Sequence, residues 1–406
     1  MGERMSARAA MLSAALGLAF FLVTATTFAS LGVVLPAMIA EFGWSWATGG
    51  LGFTMLALFT GVFSPIAARS LERLGARLHY GLGGALAVSG YFLLSATANV
   101  PSYLFATSLL GAAFALLANV PGTYIVGRAT PERRRNFAIG LYLAAGGAGG
   151  VFGPLIANAL VGGGADWRSY WLYAAVAVAI VSIAVMLLCG NSTAHGLGPS
   201  RTPGVDVASV EAADDGWTAR AAIGTPAFAI IAVALAVAYF CGVTVSTWSV
   251  AHLQNAGLAP TFAVAMFSLY SAVNAGARAL GGAIVRKISA RKLLVAALLA
   301  NTVGMSALAM ATSPALAIVF ALFDGFAFGM ALFATTALMI DYFGLRNSPA
   351  LLGALNLAAT AAMLGPTIAG EAADRWGGFA PVFLVYAVAA LLAASAVVAM
   401  PAPNKD

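Results

Sequence analysis

Residues 271–287 read SAVNAGARALGGAIVRK and end an apolar run that begins near Phe262. The run is long enough to cross a lipid bilayer, which takes about 20 predominantly apolar residues. Arg278 lies inside it, and the next charge, Arg286, follows roughly 12 Å further along a helix that rises about 1.5 Å per residue. The sequence therefore predicts a membrane helix with an arginine below the membrane surface.

This buried arginine needs a partner, because an arginine near the centre of a membrane helix costs about 2.5 to 3.5 kcal/mol on insertion scales. Asn274 lies one turn earlier on the same helix face, preceded by Ser271 and Tyr270. Together they form a polar stripe with one permanent cation, for which we expect a small anion as the partner. The alternative is a structural ion pair with an acid elsewhere, for which Asp324 is the candidate inside another apolar run.

Composition predicts a polytopic membrane protein. Of the 406 residues 61% are hydrophobic and 8% are charged, whereas a soluble domain carries about 25% charged residues. Cys189 and Cys241 both lie in apolar runs and indicate neither a disulfide framework nor a metal site. The net charge of +6 comes from basic residues in short loops and does not indicate binding to nucleic acid. No catalytic constellation or cofactor motif is visible, so we expect neither an enzyme nor a cofactor.

Hydrophobic runs of about 20 residues recur between polar breaks and predict an all-α integral membrane protein. Twelve transmembrane helices are predicted, at 11–38, 47–68, 79–99, 101–127, 137–162, 168–189, 224–253, 262–285, 292–312, 315–340, 349–372 and 378–400. They form two six-helix bundles, 1–189 and 221–406, joined by a linker at 190–220 that is rich in Gly, Pro and Ser.

Lysine and arginine residues predict the orientation of the chain. With both termini on the cytoplasmic side, 17 of the 20 Lys and Arg residues fall on that side, two fall outside, and Arg278 lies within the membrane. Cytoplasmic loops carry the excess of these residues in membrane proteins. We therefore expect a multi-pass protein of the cytoplasmic membrane with a cytoplasmic linker and both termini inside.

The two predicted bundles repeat in sequence. Positions 73–77 match positions 287–291 at an offset of 214, and Gly153 matches Gly365 at an offset of 212. A near-constant offset indicates duplication of a six-helix unit, with the copies related by a pseudo-two-fold axis. In this register Arg278 corresponds to Ser64, so the buried cation belongs to one half only. Such asymmetry suits a substrate or coupling site better than a scaffold role.

Short motifs between the predicted helices resemble those of the major facilitator superfamily. Its loop after helix two reads roughly G-x-L-A-D-R-x-G-R-R, and residues 68–77 here read ARSLERLGAR, with Glu72 for the acid and Arg73 and Arg77 for two of the bases. The counterpart at 282–291, GAIVRKISAR, is degraded, whereas PERRR at 131–135 and GGAGGVFGP at 146–154 fit the family. The resemblance covers the whole chain and implies secondary transport by alternating access of two halves.

Three further stretches resemble the monocarboxylate and oxalate/formate porter branch: EFGWSWA at 41–47, AHLQNAGLAP at 251–260 and NAGARALGG at 274–282. This branch keeps a substrate-binding arginine at the position of Arg278. The acid that animal monocarboxylate porters carry one turn earlier is Asn274 here, and the second buried cation of oxalate exchangers corresponds to about Ala358. One buried cation matches a monoanion better than a dianion.

Other candidate residues are polar or aromatic side chains in the predicted helices, which can orient a carboxylate. Beside Arg278 and Asn274, the predicted substrate-binding residues are Asn119 (with Tyr124 as an alternative), Tyr142, Trp248, Tyr270 and Asn356. Asp324 and His252 are the candidates for proton coupling, and the alternatives are a protonated hydrogen-bonding acid and an interfacial histidine. A cytoplasmic gate of ion pairs is predicted from Glu72, Arg73, Arg77, Glu132 and Arg134.

These observations predict a monomeric secondary transporter in the lipid bilayer that moves a small organic monocarboxylate, coupled to protons. The first alternative is an anion exchanger or efflux carrier for a larger, more apolar acid, since helices one, two and seven are aromatic and few other charges line the predicted cavity. The second is a membrane sensor or scaffold with a transporter fold, which would require a long signalling segment, and the predicted linker at 190–220 is short.

Overall fold

The structure, a computed structural model, describes residues 7–118, 120–164, 166–189, 217–285, 287–344 and 348–401. Every regular element in these residues is a helix. The chain divides into two compact units, Met1–Gly204 and Val205–Asp406. Most of the predicted linker, 190–220, lies outside the described residues, so the predicted boundaries of the bundles stay predictions.

The described part of the first unit contains seven helices. They are α1 (Ala7–Thr26), α2 (Phe28–Phe42), α3 (Trp46–Ser95), α4 (Val100–Leu117), α5 (Val120–Ala129), α6 (Glu132–Val161) and α7 (Trp167–Leu188). α1 and α2 follow each other as one apolar span, interrupted at Thr27, whose backbone leaves the helical region with φ −100° and ψ −92°. α4 and α5 likewise form one span, Val100–Ala129, as the predicted helix 101–127 requires.

α3 has 50 residues because it contains two of the predicted helices, 47–68 and 79–99. Its helical path breaks at Gly75, with φ 77° and ψ 163°. This backbone region is essentially restricted to glycine. Gly75 is the glycine of the ARSLERLGAR motif. The motif therefore supplies the turn that reverses the chain between two membrane crossings.

His79 fastens this turn to the neighbouring helix. The side chain is fully buried, its Nε2–H donates to the Leu116 carbonyl at 2.8 Å, and its Nδ1 accepts from the Ser70 hydroxyl at 2.7 Å. Ser70 precedes Gly75 and His79 follows it, so one imidazole joins both sides of the turn to the end of α4. His79 was not predicted as a structural residue from the sequence.

The second unit begins, in the described residues, with a short helix followed by longer ones. They are α8 (Ala219–Ile223), α9 (Pro226–Asn255), α10 (Pro260–Ile284), α11 (Ala290–Ala309), α12 (Pro314–Phe343), α13 (Ser348–Thr360), a 3₁₀ turn (Ala361–Leu364), α14 (Gly365–Trp376) and α15 (Ala380–Ala399). Proline stands at the start of α9, α10 and α12. The first N–H groups of a helix make no hydrogen bond within the helix, so proline, which lacks an N–H, is well tolerated there. The core consists of small and branched apolar side chains from α9, α11, α12 and α15, among them Leu235, Leu294, Leu338 and Val397.

Glycines set the closest helix contacts in each unit, as is common where membrane helices pack without a hydrophobic driving force. A Cβ atom at Gly153 of α6 would lie 2.5 Å from the Ala25 carbonyl oxygen of α1. In the second unit a Cβ at Gly365, the sequence counterpart of Gly153, would lie 2.8 Å from Oγ1 of Thr244 on α9. The GGAGGVFGP motif therefore acts in packing α6 against α1.

Ten stretches of the described residues are long and apolar enough to cross a membrane. One of them, Trp46–Ser95, holds two predicted helices on either side of Gly75. The predicted helix with Arg278 is α10, which is helical over 25 residues but is not among the ten apolar stretches. All twelve predicted helices thus have a helical counterpart, and the prediction of an all-α integral membrane protein is confirmed.

Candidate substrate site

Arg278 and Asn274 contact each other on α10, as their spacing predicts. Nε of Arg278 donates a hydrogen bond to Oδ1 of Asn274 at 2.9 Å, and the Arg278 side chain is exposed. Its guanidinium carbon lies 5.5 Å from the centre of the Phe328 ring on α12. A guanidinium at this distance from an aromatic face gains cation–π attraction. The cation is therefore held by the Asn274 amide on its own helix, α10, and by the Phe328 ring on α12.

Two glycines bring α12 close enough to α10 for this contact. A Cβ at Gly329 would lie 2.3 Å from the Asn274 carbonyl oxygen, and one at Gly325 would lie 2.6 Å from the Tyr270 carbonyl oxygen. Glycines four residues apart let helix backbones approach each other closely in membranes. Phe328 stands next to Gly329, so the same contact brings its ring to Arg278.

Tyr239 of α9 completes the described surroundings of Arg278. Its ring packs edge-on against Phe328 with the centroids 5.7 Å apart, and it lies close enough to Arg278 for an electrostatic interaction. Neither Tyr239 nor Phe328 was predicted as a site residue, because an aromatic residue in an apolar run resembles any core residue. Only the packing of α9, α10 and α12 reveals them.

Asp324 of α12 is fully buried and points towards α11. Nδ2 of Asn301 donates to Oδ1 of Asp324 at 2.5 Å. A Cβ at Gly304, one turn after Asn301, would lie 2.7 Å from Cβ of Asp324, so α11 and α12 are in close contact here. Within the described residues no ion pair joins Asp324 to Arg278. The structural ion pair considered as an alternative is therefore not observed in this structure, and an asparagine binds each charged side chain instead.

Tyr270 lies between these two polar centres. Its ring stacks on Phe267 and Phe320, with centroid distances of 5.8 and 6.0 Å, and it lies near enough to Asp324 and Arg278 for their charges to act on it. The side chain is buried, and its hydroxyl has no hydrogen-bond partner among the described residues. Tyr270 is thus the described side chain that links the predicted anion site to the buried acid.

Comparison with known proteins identifies the family. The family model described as Major Facilitator Superfamily matches residues 16–362 and, in a second match, residues 257–406. The chain belongs to the Major Facilitator Superfamily. A search of curated proteins finds no match. As a member of this superfamily, the chain is a multi-pass integral membrane protein of a family whose members transport small molecules.

Solved structures of other superfamily transporters share the fold of this chain. A bacterial homologue of the human lysosomal transporter Spinster, in an inward-facing and unoccupied conformation, is 18% identical with a TM-score of 0.74, over 98% of this chain and 97% of that chain. The nucleoside transporter NupG is 13% identical with a TM-score of 0.76, over 96% of this chain and 99% of that chain. At these identities the likeness shows the fold alone.

Trp248 and His252, predicted on the seventh superfamily helix, use their polar groups in packing. Trp248 of α9 is fully buried, donates its Nε1–H to the Pro366 carbonyl at 2.9 Å and stacks on Phe379. His252 is buried and its Nε2–H donates to the Leu308 carbonyl at 2.8 Å. The predicted roles of Trp248 in substrate binding and of His252 in proton coupling stay predictions.

The predicted substrate-binding residues of the first unit are described within that unit alone. Tyr142 of α6 is buried against the ring of Phe20, and its hydroxyl has no partner among the described residues. Asn119 lies outside the described residues, and its alternative Tyr124 accepts a hydrogen bond from Arg128 at 2.9 Å. In the second unit, the predicted Asn356 is exposed on α13.

A cavity of about 660 Å³ opens between α1 and α6 of the first unit, beside Tyr142. Its walls are mostly apolar and include Leu18, Phe21 and Leu141, and Arg134 also lines it. Sequence reasoning did not identify this cavity, because the residues that line it resemble lipid-facing residues of α1 and α6.

The predicted gate residues lie where the superfamily motifs place them along the chain. Glu72, Arg73 and Arg77 are exposed around the Gly75 turn of α3. Glu132 and Arg134 are exposed in the first turn of α6. Exposed charges at helix ends are compatible with ion pairs that form in one access state, but the gate itself stays a prediction.

Proposed function

We propose that this superfamily member is a secondary transporter of a small organic monocarboxylate and that Arg278 binds the carboxylate group. The main support is that, in the described part of the chain, Arg278 hydrogen-bonds only through Nε. Its two terminal nitrogens are left for a ligand. A guanidinium presents parallel N–H groups that match the two oxygens of a carboxylate.

The charge of the site favours a monoanion. Asn274 is neutral, so it orients Arg278 without cancelling its charge. A dianion would bring one charge more than Arg278 can balance, and an unpaired charge away from water is costly. The rings of Phe328 and Tyr239 beside the guanidinium offer an apolar wall to a short hydrocarbon chain.

Proton coupling through Asp324 is the second part of the proposal. Inward movement of a monoanion against its gradient requires a coupled cation, and a proton is the simplest one. Among the described residues Asp324 is the acid that the helices bury completely. A buried acid whose protonation changes with the access state can carry that proton.

The proposed membrane and orientation follow from charge. The excess of Lys and Arg in alternate loops supports a cytoplasmic membrane protein with both termini inside. In that orientation the predicted gate of Glu72, Arg73, Arg77, Glu132 and Arg134 lies on the cytoplasmic side.

Ligand-induced thermal stabilisation of the purified protein tests the proposed substrate class. A bound ligand stabilises the folded state by RT ln(1 + [L]/Kd). We expect short monocarboxylates to raise the melting temperature, dicarboxylates not to raise it, and Arg278→Lys to lose most of the gain. Arg375→Lys, on the exposed end of α14, is the matched control and should keep it. Equal stabilisation of the parent and Arg278→Lys would refute the proposed site.

The cavity between α1 and α6 supports a second candidate, exchange or efflux of a larger and more apolar acid. Its volume of about 660 Å³ and its apolar walls suit a longer hydrocarbon chain than the Arg278 site requires. Ala14 lines this cavity, so Ala14→Phe would fill part of it. If this function is the true one, affinity rises with the chain length of the acid, and Ala14→Phe weakens only the long acids.

A further inference from the structure

Asp324 and Asn301 form a buried pair whose hydrogen-bonding capacity is only partly used. Both residues are at most 2% exposed, and one hydrogen bond, from Nδ2 of Asn301 to Oδ1 of Asp324, joins them. The other two oxygens of the pair, Oδ2 of Asp324 and Oδ1 of Asn301, are buried and have no hydrogen-bond partner in the described part of the chain. Each is an acceptor when the acid is ionised, so neither can satisfy the other.

One proton on Asp324 would satisfy both oxygens. A neutral carboxylic acid and an amide can form a ring of two hydrogen bonds, in which the amide N–H donates to one acid oxygen and the acid O–H donates to the amide oxygen. Without the proton, the pair would keep a buried negative charge and two buried acceptors without donors. A buried acceptor without a donor is destabilising, and an uncompensated buried charge is more so.

The groups that face the pair supply no balancing charge. Cys241 of α9 is fully buried and interacts with Asn301, and Tyr270 of α10 lies close enough to interact with Asp324. Both are neutral in their ordinary forms. Arg278 lies near Tyr270, but it forms no ion pair with Asp324 in the described residues.

We propose that Asp324 and Asn301 together form a proton-binding site, in which Oδ2 of Asp324 carries the proton and Oδ1 of Asn301 accepts its hydrogen bond. Asn301 is then a positioning residue, which acts through Asp324. The role of this site in transport rests on the function proposed above. The proton binds to Oδ2 from water on one side of the membrane and leaves to water on the other.

The helix contacts place the pair where a conformational change can open it. Asn301 and Gly304 lie on one face of α11, and the close contact of Gly304 with Asp324 holds the two side chains together. On the neighbouring face of α12, Gly325 contacts the Tyr270 backbone of α10. A shift of α12 against α11 would break the ring of hydrogen bonds and let Asp324 release its proton.

Infrared spectroscopy of the purified parent protein, without substrate, tests the protonated pair directly. At neutral pH we expect the carbonyl band of a protonated carboxylic acid. The Asp324→Asn substitution should remove this band. The Asn301→Leu substitution should shift its frequency, because the hydrogen bond to the amide is lost. Absence of the band in the parent would overturn the proposal. Loss of the band on addition of Na⁺ at constant pH would also overturn it, because the pair would then bind a metal cation.

A swap of the two side chains separates a proton site from a structural pair. Asp324→Asn replaces the acid–amide ring by an amide–amide ring, so both hydrogen bonds can form and the fold should be kept. The double variant Asn301→Asp with Asp324→Asn returns an acid to the same ring, now on α11. A pair that is merely structural tolerates the single and the double variant equally.

The readout is accumulation of radiolabelled lactate in proteoliposomes under a pH gradient, beside counterflow without a gradient. We expect the single variant to lose accumulation and the double variant to recover a measurable part of it. Where the parent accumulates lactate, undiminished accumulation by the single variant, or no recovery in the double variant, would overturn the proposal. The infrared test needs no substrate, so failure of carboxylate transport would refute the proposed function and leave the protonated pair to be judged separately.

Discussion

The guanidinium of Arg278 on α10 lies 5.5 Å from the ring centre of Phe328 on α12, at the point where Gly329 brings the two helices together. Asn274 accepts a hydrogen bond from Nε, so among the described residues an amide and an aromatic ring, and no acid, hold this charged side chain on an apolar helix. The aromatic face and the amide stabilise the cation but leave its charge uncompensated. The site is therefore suited to an anion that binds and leaves.

Arg278→Lys should strongly weaken carboxylate transport. Lysine keeps the charge but loses the two parallel donors, and loss of a hydrogen bond to a charged group costs about 1.5–3 kcal/mol, or a factor of about 10 to 150 in affinity. Lactate counterflow in proteoliposomes measures the effect, with membrane insertion checked by the yield of folded protein. Arg278→Ala should be inactive, and near-normal transport by it would remove Arg278 from the site.

Asn274→Asp should convert the substrate site into an internal ion pair. The introduced carboxylate would lie one turn from Arg278, within the reach of the present Nε hydrogen bond, and would compete with the substrate. We expect weaker carboxylate binding at neutral pH and partial recovery at acid pH, where the introduced group is protonated. Thermal stabilisation by lactate across a pH series measures this. Binding that is unchanged at every pH would show that the two positions do not share a pocket.

Much of this arrangement could be predicted from the sequence, because it depends on local spacing. The apolar runs predict the helices, and the spacing of four residues from Asn274 to Arg278 predicts their contact. The roles of Asn301 and Phe328 could not be predicted, since both contact residues on other helices and their identities are ordinary for membrane helices. The hydrogen bond from Nε1 of Trp248 to the Pro366 carbonyl could not be predicted either, because it depends on the packing of α9 on α14, and the predicted role of Trp248 in substrate binding stays a prediction.

Gly329→Ala should destabilise the second unit. The added Cβ would lie 2.3 Å from the Asn274 carbonyl oxygen, and a backbone atom cannot move away as a flexible side chain can. Overpacking of this kind costs about 1–3 kcal/mol. Thermal unfolding of the purified variant measures the loss. Gly353→Ala on α13, where a Cβ would meet no atom within 4 Å, is the control, and an equal effect of both substitutions would contradict the close contact.

Glu41→Gln should lower stability modestly without altering transport. Glu41 accepts two hydrogen bonds from Arg168, at 2.7 and 2.8 Å, and a third from Trp167 at 2.7 Å. The ion pair is partly exposed, so solvent screens it and we expect only a small fall in the melting temperature. The loss should shrink at high salt. Glu371→Gln, in the more exposed pair with Arg375, should lower the stability less than Glu41→Gln does. A larger loss from Glu371→Gln would show that the bidentate geometry of the Glu41–Arg168 pair adds nothing to stability.

His252→Gln should keep proton-driven accumulation, and this distinguishes the two candidate proton carriers. The Nε2–H of His252 already donates to the Leu308 carbonyl, and the ring packs edge-on against Phe383. A glutamine amide can make the same donation but does not titrate. If Asp324 carries the proton, His252→Gln therefore accumulates lactate under a pH gradient like the parent, apart from a small loss of packing.

The matched experiment places Asp324→Asn in the same vesicles at the same pH gradient. Asp324 has an unpartnered buried oxygen that a proton can occupy, whereas the described contacts of His252 are complete on the nitrogen that faces Leu308. We expect only the aspartate variant to lose accumulation. The opposite result, with accumulation lost in His252→Gln and kept in Asp324→Asn, would assign proton coupling to α9 and leave the Asp324–Asn301 pair a purely structural contact between α11 and α12.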